Sequence, residues 1–250
     1  MPHASSATTE LLSSGIAIVG RGRMGRALAA VLPGAGIPVH GPLGRGERCE
    51  ADGVVLLCVP DREIAAAAAA VAPGRLVGHC SGAATLEPLR PHEAFSLHPL
   101  MTVAAGRPAK FAGAGCAIAG STERALDAAR AIAAALRMHA VVVGDADRAL
   151  YHAAASMASN YLVTLESAAA QLAARAGVPR EMLVPLVRAA VENWAAAGAG
   201  ALTGPIARGD RETVARQRAA VAERAPELLA LWDAFVERTA ALVQPDVPTA

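Results

Sequence analysis

Ile16-Ala17-Ile18-Val19-Gly20-Arg21-Gly22-Arg23-Met24-Gly25 sets an apolar run directly before a glycine-punctuated turn, and the alanine-rich segment that follows reads as a helix. In that order Gly20 permits the tight turn, Gly22 lets a ligand approach the backbone, and Gly25 lets the helix pack close against the strand. The helix then presents its positive N-terminal end to whatever lies over the turn, which is where a pyrophosphate sits in dinucleotide sites. The glycine spacing alone is a weak signal. With a strand before it and a helix after it, the turn from Gly20 through Arg21, Gly22, Arg23 and Met24 to Gly25 points to nucleotide binding, the alternative being a purely structural glycine turn.

The rest of the chain is composed for a folded, nearly neutral protein. Its 250 residues are 54% hydrophobic, enough for a real core in one large or two modest domains. Lys plus Arg is 23 and Asp plus Glu is 22, so a net charge of +1 creates no field to draw in nucleic acid or an anionic membrane. Aromatic residues are 3% of the chain, which leaves few platforms for stacking bases. Small molecules and a second copy of the chain are the expected partners. Cys49, Cys58, Cys80 and Cys116 lack the spacing of a zinc site, so no metal is expected, and they read as small apolar residues of a reducing compartment. The N-terminus lacks the basic and apolar regions of a signal peptide, and the alanine runs are too short to span a bilayer. A cytoplasmic location is expected.

From residue 15 to about 143, short β-branched runs alternate with helical stretches, the pattern of an α/β fold: a doubly wound, mainly parallel Rossmann sheet with helices on both faces. The expected strands are Ile16 to Val19, Pro38 to His40, Val54 to Val59, Leu76 to His79, Ala94 to Leu97, Cys116 to Ala119 and Ala140 to Val143. Their exits carry Gly20-Arg21-Gly22, Gly41-Pro42, Pro60-Asp61, Ser81-Gly82 and His98-Pro99. In an open α/β sheet the ligand crevice lies beyond the carboxyl ends of the strands, so these exits are expected to converge. After Asp145 the β-branched runs stop. A long helix is expected from Asp147 to Ala176, then helices over Arg180 to Ala197, Asp210 to Glu223 and Pro226 to Leu242. The expected organisation is a disordered tail over 1–14, a nucleotide-binding domain over 15–145, an all-helical substrate and dimerisation domain over 146–243, and a tail over 244–250.

Arg45 and Arg48 fall about twenty residues past the glycine turn, where an NAD site usually carries an acid against the ribose 2′-hydroxyl. Arginines there, helped by Arg21 or Arg23, would pair with a 2′-phosphate, so NADP is the expected cofactor with NAD as the alternative. Val59, Pro60 and Asp61 would lie beside the cofactor, Asp61 also serving as a helix N-cap, and Ser81-Gly82 is either a turn or a contact. His98, held extended by Pro99, can exchange a proton or hydrogen bond with a carbonyl or hydroxyl. His152, Ser156, Asn160 and Thr164 recur at every fourth position of the expected long helix. If that helix is buried, such a polar stripe needs a partner. Thr203 offers a hydroxyl beside Gly204, and Asp210 is a natural N-cap.

Val59-Pro60-Asp61, His79-Cys80-Ser81-Gly82, Ser96-Leu97-His98-Pro99-Leu100, Tyr151-His152-Ala153 through Ser159-Asn160-Tyr161, and Leu202 through Asp210, taken with the glycine turn, resemble one family. It is the Rossmann-like oxidoreductases with a C-terminal domain of unknown function 2520. The layout is more distantly similar to pyrroline-5-carboxylate reductase, prephenate dehydrogenase, ketopantoate reductase and 6-phosphogluconate dehydrogenase. The resemblance implies a nicotinamide-cofactor domain followed by a helical domain that builds a homodimer. In the 6-phosphogluconate dehydrogenase-like relatives a lysine four residues before an asparagine acts in proton transfer. Here Asn160 matches the asparagine, but Ser156 stands in the lysine's place.

The expectation is therefore an NADP-dependent oxidoreductase acting on a small carbonyl or imine, or the matching alcohol or amine, in the cleft between the two domains. His98, His152, Ser156, Asn160 and Thr203 are its candidate catalytic residues. A non-catalytic dimeric NADP-binding sensor or scaffold is the alternative that Ser156 favours. A methyltransferase using the same turn is disfavoured by the second helical domain and Arg45.

Overall fold

The computed structural model describes residues 12–47, 53–104 and 107–243. Alternation along the short strands explains the layering. In β1 (Ile16–Val19), Ile16 and Ile18 face one side of the sheet while Ala17 and Val19 face the other, and β3 (Val54–Leu57) repeats the pattern with Val54 and Leu56 against Val55 and Leu57. On the first face these side chains meet Leu28 of α1 (Arg23–Val31) and Ala125, Ala128, Ala129 and Ile132 of α3 (Glu123–Ala135). On the second they meet Ile64 and Ala68 of α2 (Ile64–Ala69). Strands buried on both faces need continuous apolar sequence, which is what the β1 and β3 runs supply.

With β2 (Val39–Leu43), β4 (Leu76–His79), β5 (Glu93–Leu100), β6 (Gly115–Gly120) and β7 (His139–Val142), the seven-stranded sheet runs in the order β2-β1-β3-β4-β5-β6-β7. All neighbouring pairs are parallel except β5 with β6. The strand order reverses between β1 and β3, the point at which open α/β sheets form their crevice. The expected doubly wound, mainly parallel fold is the one observed.

β3 ends at Leu57 rather than Val59 and β2 runs over Val39–Leu43 rather than Pro38 to His40, and two further differences of detail bear on the site. β5 does not stop at Leu97: its parallel pairing with β4 ends at Ser96, but antiparallel pairing with β6 carries it on through His98↔Ala117, Pro99↔Cys116 and Leu100↔Gly115. Pro99 is tolerated because β4 has already ended on the other side, leaving β5 an edge there. His98 is thus held within a strand rather than at its tip. The expected single helix after Asp147 is α4 (Arg148–Ser156), a π turn over Met157–Tyr161, and α5 (Leu162–Arg175). A π turn takes an extra residue per hydrogen bond, so the every-fourth-residue stripe does not keep one face through Asn160.

The chain divides into two compact units between Ser159 and Asn160. The second consists of α5, α6 (Val184–Ala197), α7 (Arg211–Arg224) and α8 (Leu229–Val243). Asp210 caps α7 as expected, its carboxylate accepting from the Thr213 N–H at 3.0 Å. Among its described residues the buried hydrophobic ones are Ala168, Val221 and Ala225, while Tyr161, Met182, Leu186 and Trp194 are exposed. The polar stripe therefore does not run along a buried helix: Asn160 and Thr164 are exposed, and no desolvation cost demands a partner for them. Of the expected tails, residues 1–11 and 244–250 lie outside the described residues, and Leu12 packs into the core. No helix among the described residues is long and apolar enough to cross a membrane.

Gly78, in the middle of β4, pairs with Phe95 of β5, and a methyl at Gly78 would overlap the Phe95 ring. Alanine ordinarily suits a strand better than glycine, but here the clash sets the sign. Gly78→Ala is expected to destabilise the protein by about 1–3 kcal/mol, read as a lower urea midpoint at unchanged m-value.

Candidate functional site

The three glycines of the turn differ in what surrounds them. Gly20 has φ +118°, and a side chain there would strike the Cys58 carbonyl. A Cβ at Gly25 would collide with the Gly20 carbonyl and lie 3.2 Å from Cys58 Cβ, so both residues lock the turn and α1 onto the end of β3. Gly22 differs: the nearest atom to a Cβ there is the Cys58 carbonyl oxygen at 3.8 Å, which leaves open space over the turn. Gly22 is also the N-cap of α1, contributing no side-chain cap, and the first turn carries no acid. The leading N–H groups of α1 thus have no side-chain cap, the condition under which a helix start can take an anion.

Beside the turn a cavity of about 770 Å³ opens between Val19–Gly22, the Cys58-Val59-Pro60 exit and the Leu43–Glu47 segment, with Ala66, Ala67 and Ala70 of the α2 region as its small-residue wall. Arg21 and Arg45 line it as expected, and so does an acid. Glu47 accepts from the Gly44 N–H at 3.0 Å and from Arg21 Nη2 at 2.6 Å. The Gly44 N–H, reinforced by Arg21, holds its carboxyl below the usual carboxylate range. Arg45 reaches Glu63 at 3.1 Å. The rim is therefore a set of exposed ion pairs, not free arginines. Arg48 and Cys49 lie outside the described residues. Arg23 lines a second hollow with Arg26 and Arg107, and Met24 packs against the core.

A second set of groups gathers where β4 and β5 leave the sheet. His98 Nδ1 lies 2.7 Å from the Tyr151 hydroxyl, with the rings edge-on at 5.6 Å, and the His152 ring stands 6.3 Å from that of His98. Both histidines crowd Gly82: a Cβ there would be 2.7 Å from His98 Cε1 and 2.8 Å from His152 Cδ2. Ser81 Oγ accepts from the N–H groups of Ala83 and Ala84 at 3.2 and 2.9 Å, closing the turn that presents Gly82. Burial, then the charges of His152 and Arg148, push His98 down to about 4. Burial, with Cys116 adding to it, pushes Tyr151 up to about 12. At neutral pH the pair is a neutral imidazole against a neutral phenol.

Residues 114–239, half of the chain, match the sequence model of the domain of unknown function DUF2520. The chain belongs to the DUF2520 family. Solved structures share its fold. An inferred NADP oxidoreductase from Bacteroides fragilis gives a TM-score of 0.76 at 18% identity, covering 92% of this chain and 99% of its own. A Thermotoga maritima protein gives 0.72 at 24% identity, covering 94% and 95%. A reductive aminase from Aspergillus terreus, solved with NADPH and ethyl-5-oxohexanoate, gives 0.61 at 18% identity, covering 91% and 93%. No curated protein matches the sequence.

In this DUF2520 protein the other expected residues lie as follows. Val59 and Pro60 line the cavity. Asp61 makes no capping hydrogen bond: it opens a 3-10 turn, Asp61–Glu63, and that turn moves the start of α2 three residues beyond it. Ser156 is half-buried at the end of α4, while Asn160 in the π turn and Thr203 before Gly204 are exposed residues of the second unit. Two residues escaped the sequence reading. Arg148 is buried, donating to the Ser96 hydroxyl and, at 3.3 Å, to the Ser81 carbonyl. Tyr151 lay in a recognised motif without a role. The available signal was position: an arginine in the first turn of a helix opposes the helix dipole, so it needs a reason from elsewhere in the fold.

His98 also fixes a pH dependence. Its folded value, about 4, lies below the ordinary 6.5, so the unfolded chain takes up a proton that the native site refuses. His79, lowered by burial, acts in the same direction. Stability is expected to fall as pH drops from about 6.5 to about 4, with the His98 part of that slope missing in His98→Gln. Urea melts across this range check it. An unchanged slope in the variant would show that the native site does not hold His98 neutral.

Proposed function

We propose that this DUF2520 protein is an NADP-dependent oxidoreductase that moves a hydride between nicotinamide and a small carbonyl or imine, or the matching alcohol or amine. The observation that carries the reading is the space kept over Gly22 at an uncapped helix N-terminus, where the strand order reverses. The N–H groups at the start of α1 would hold the pyrophosphate, and the cavity beside β2 would take the adenosine half. β5 is three strand spacings from β1, about 14 Å, a span within reach of a dinucleotide. When bound, the cofactor supplies or accepts the hydride. His98 and His152 would hold the substrate's heteroatom over Gly82.

Preference for NADP rests on Arg21 and Arg45, each able to leave its carboxylate for a 2′-phosphate. Glu47 works against that preference and would suit the 2′-hydroxyl of NAD. A second copy of the chain is the expected partner, since the helices of the second unit leave Leu186, Trp194 and Phe235 exposed, and covering such apolar side chains is what a homodimer interface does. Unbridged thiols at Cys58, Cys80 and Cys116 fit a cytoplasmic, reducing compartment. The rival reading, an NADP sensor or scaffold without turnover, is favoured by two observations: Ser156 stands in the lysine's place, and burial holds His98 neutral.

Calorimetry is expected to show NADPH binding more tightly than NADH, with Glu47→Gln widening the gap by about tenfold through loss of a like charge. Failure to bind either nucleotide would overturn the proposal. In single turnover, bound NADPH is expected to be oxidised by at least one short aldehyde, ketone or imine, and His98→Ala to slow that step by about 10²- to 10⁴-fold. A sensor would leave NADPH intact with every compound.

A further inference from the structure

His98 is an unusual proton donor: its imidazole is neutral at physiological pH, so no imidazolium is there to supply the proton that a reduced carbonyl needs. The geometry around it supplies another route. Among the described residues, Nδ1 has the Tyr151 hydroxyl as its hydrogen-bond partner and Nε2 has none, while Nε2 faces the bare Cα of Gly82, 2.9 Å from where a Cβ would stand. If Nδ1–H donated to the phenol oxygen, the phenol hydrogen would find no acceptor among the described residues and would have to turn to solvent at the half-buried ring, whereas O–H donating to Nδ1 satisfies both groups at once.

We propose that Tyr151 and His98 form a proton relay in which the phenol O–H donates to Nδ1 and Nε2–H donates to the oxygen of a carbonyl substrate lying over Gly82. This rests on the oxidoreductase reading above and adds to it a substrate class and a positioning residue. The step balances without a further reagent. The carbonyl carbon would take its hydride from NADPH held at Gly22 and the start of α1, and the π electrons would pass to oxygen. The oxygen takes the Nε2 proton, Nδ1 takes the phenol proton, and the imidazole is left neutral in its other tautomer. Tyr151 is left as a tyrosinate near Arg148, three residues earlier on α4, and recovers its proton from solvent. Arg148 favours that anion, just as its charge lowers the Tyr151 value against the effect of burial.

The same charges select the substrate. The groups acting on His98 are His152 and Arg148 from α4, His79 from β4 and Asp61 from the turn after β3; Cys116 of β6 acts on Tyr151, and Asp145 on Arg148. The fixed, buried cation among them is Arg148. A carbonyl oxygen that gains negative charge is stabilised beside it, whereas a protonated iminium brings a second positive charge and has no lone pair to accept Nε2–H. The site is built for a neutral aldehyde or ketone.

Nitrogen-15 spectra of the imidazoles in the purified protein, without nucleotide, test the relay independently of turnover. The expected result is His98 with its proton on Nε2 and Nδ1 as acceptor, and loss of that preference in Tyr151→Phe, which keeps the ring and whose fold is checked by its melting curve. A proton on Nδ1, or a tautomer unchanged in Tyr151→Phe, would overturn the relay whatever the cofactor does. With NADPH and a panel of short aldehydes and ketones, Tyr151→Phe is expected to lower kcat by about 10²-fold at unchanged KM and NADPH affinity. Unchanged kcat, or faster turnover of a preformed cyclic iminium than of any carbonyl, would overturn the proton-donor role. If the expected tautomer is found but NADPH does not bind, the oxidoreductase reading falls with its carbonyl substrate, and the direction of the hydrogen bond stands.

Discussion

The buried guanidinium of Arg148 ties the candidate site together. Removing such a cation from water costs several kcal/mol, and only charge-assisted hydrogen bonds bring that cost down. Arg148 finds them on two strand ends, the Ser96 hydroxyl in β5 and the Ser81 carbonyl beyond β4, with Asp145 at 3.7 Å from its Nε. Nε itself has no hydrogen-bond partner among the described residues, and the two bonds that Arg148 does make are possible only when the first turn of α4 lies against the ends of β4 and β5. The next turn then carries Tyr151 and His152 onto His98 and Gly82. A helix start that opposes its own dipole is thus exchanged for a fixed position over the sheet.

The glycine turn reaches a comparable rigidity by exclusion. Gly20 and Gly25 lie so close to the Cys58 backbone and to each other that any side chain would force β1, α1 and β3 apart. Gly22, between them, is the residue with room above it. Two unlike devices, a polar clamp and a steric lock, therefore act at the same edge of one sheet, and each leaves a bare Cα, Gly82 or Gly22, facing open space or imidazole rather than backbone.

Much of this was legible in the residues, and the misses have physical reasons. β1 begins and ends where its apolar run does, as a strand buried on both faces favours, and β4 covers the expected Leu76–His79 although His79 is a buried polar residue. β5 ran longer than expected because its last residues are held from one side by β6, a partner distant in sequence, and Pro99 is harmless on the unpaired side. The π turn over Met157–Tyr161 leaves no mark in an alanine-rich helix with no proline or glycine nearby. Local sequence points to Asp61 as a cap, but it carries no sign of the three-residue 3-10 turn that comes before α2. His98 and Gly82 were found from strand exits. Arg148 and Tyr151 were not, since their roles depend on side chains brought from fifty or more positions away.

The two halves of the candidate site differ in how easily they can be rearranged. The cavity rim is made of exposed pairs, Arg21 with Glu47 and Arg45 with Glu63, and such pairs contribute about 0–1 kcal/mol each. On the proposed reading a 2′-phosphate would displace a carboxylate from either arginine at little cost, so a choice between two nucleotides would rest on small differences at this rim. The cluster of His98, Tyr151, His152 and Arg148 is the opposite case. Its members are buried or half-buried, burial lowers His98 and raises Tyr151 so that both stay neutral, and moving Tyr151 leaves His98 Nδ1 without its partner. Breaking a buried charge's partnership costs about 3–5 kcal/mol, several times the worth of a rim pair. If the cavity takes a nucleotide as proposed, drift in sequence at the rim would change which one is preferred, whereas the cluster admits few substitutions that keep His98 neutral beside Gly82. Cofactor preference would then be the adjustable property of this fold, and the charge of the group held beside His98 the constrained one.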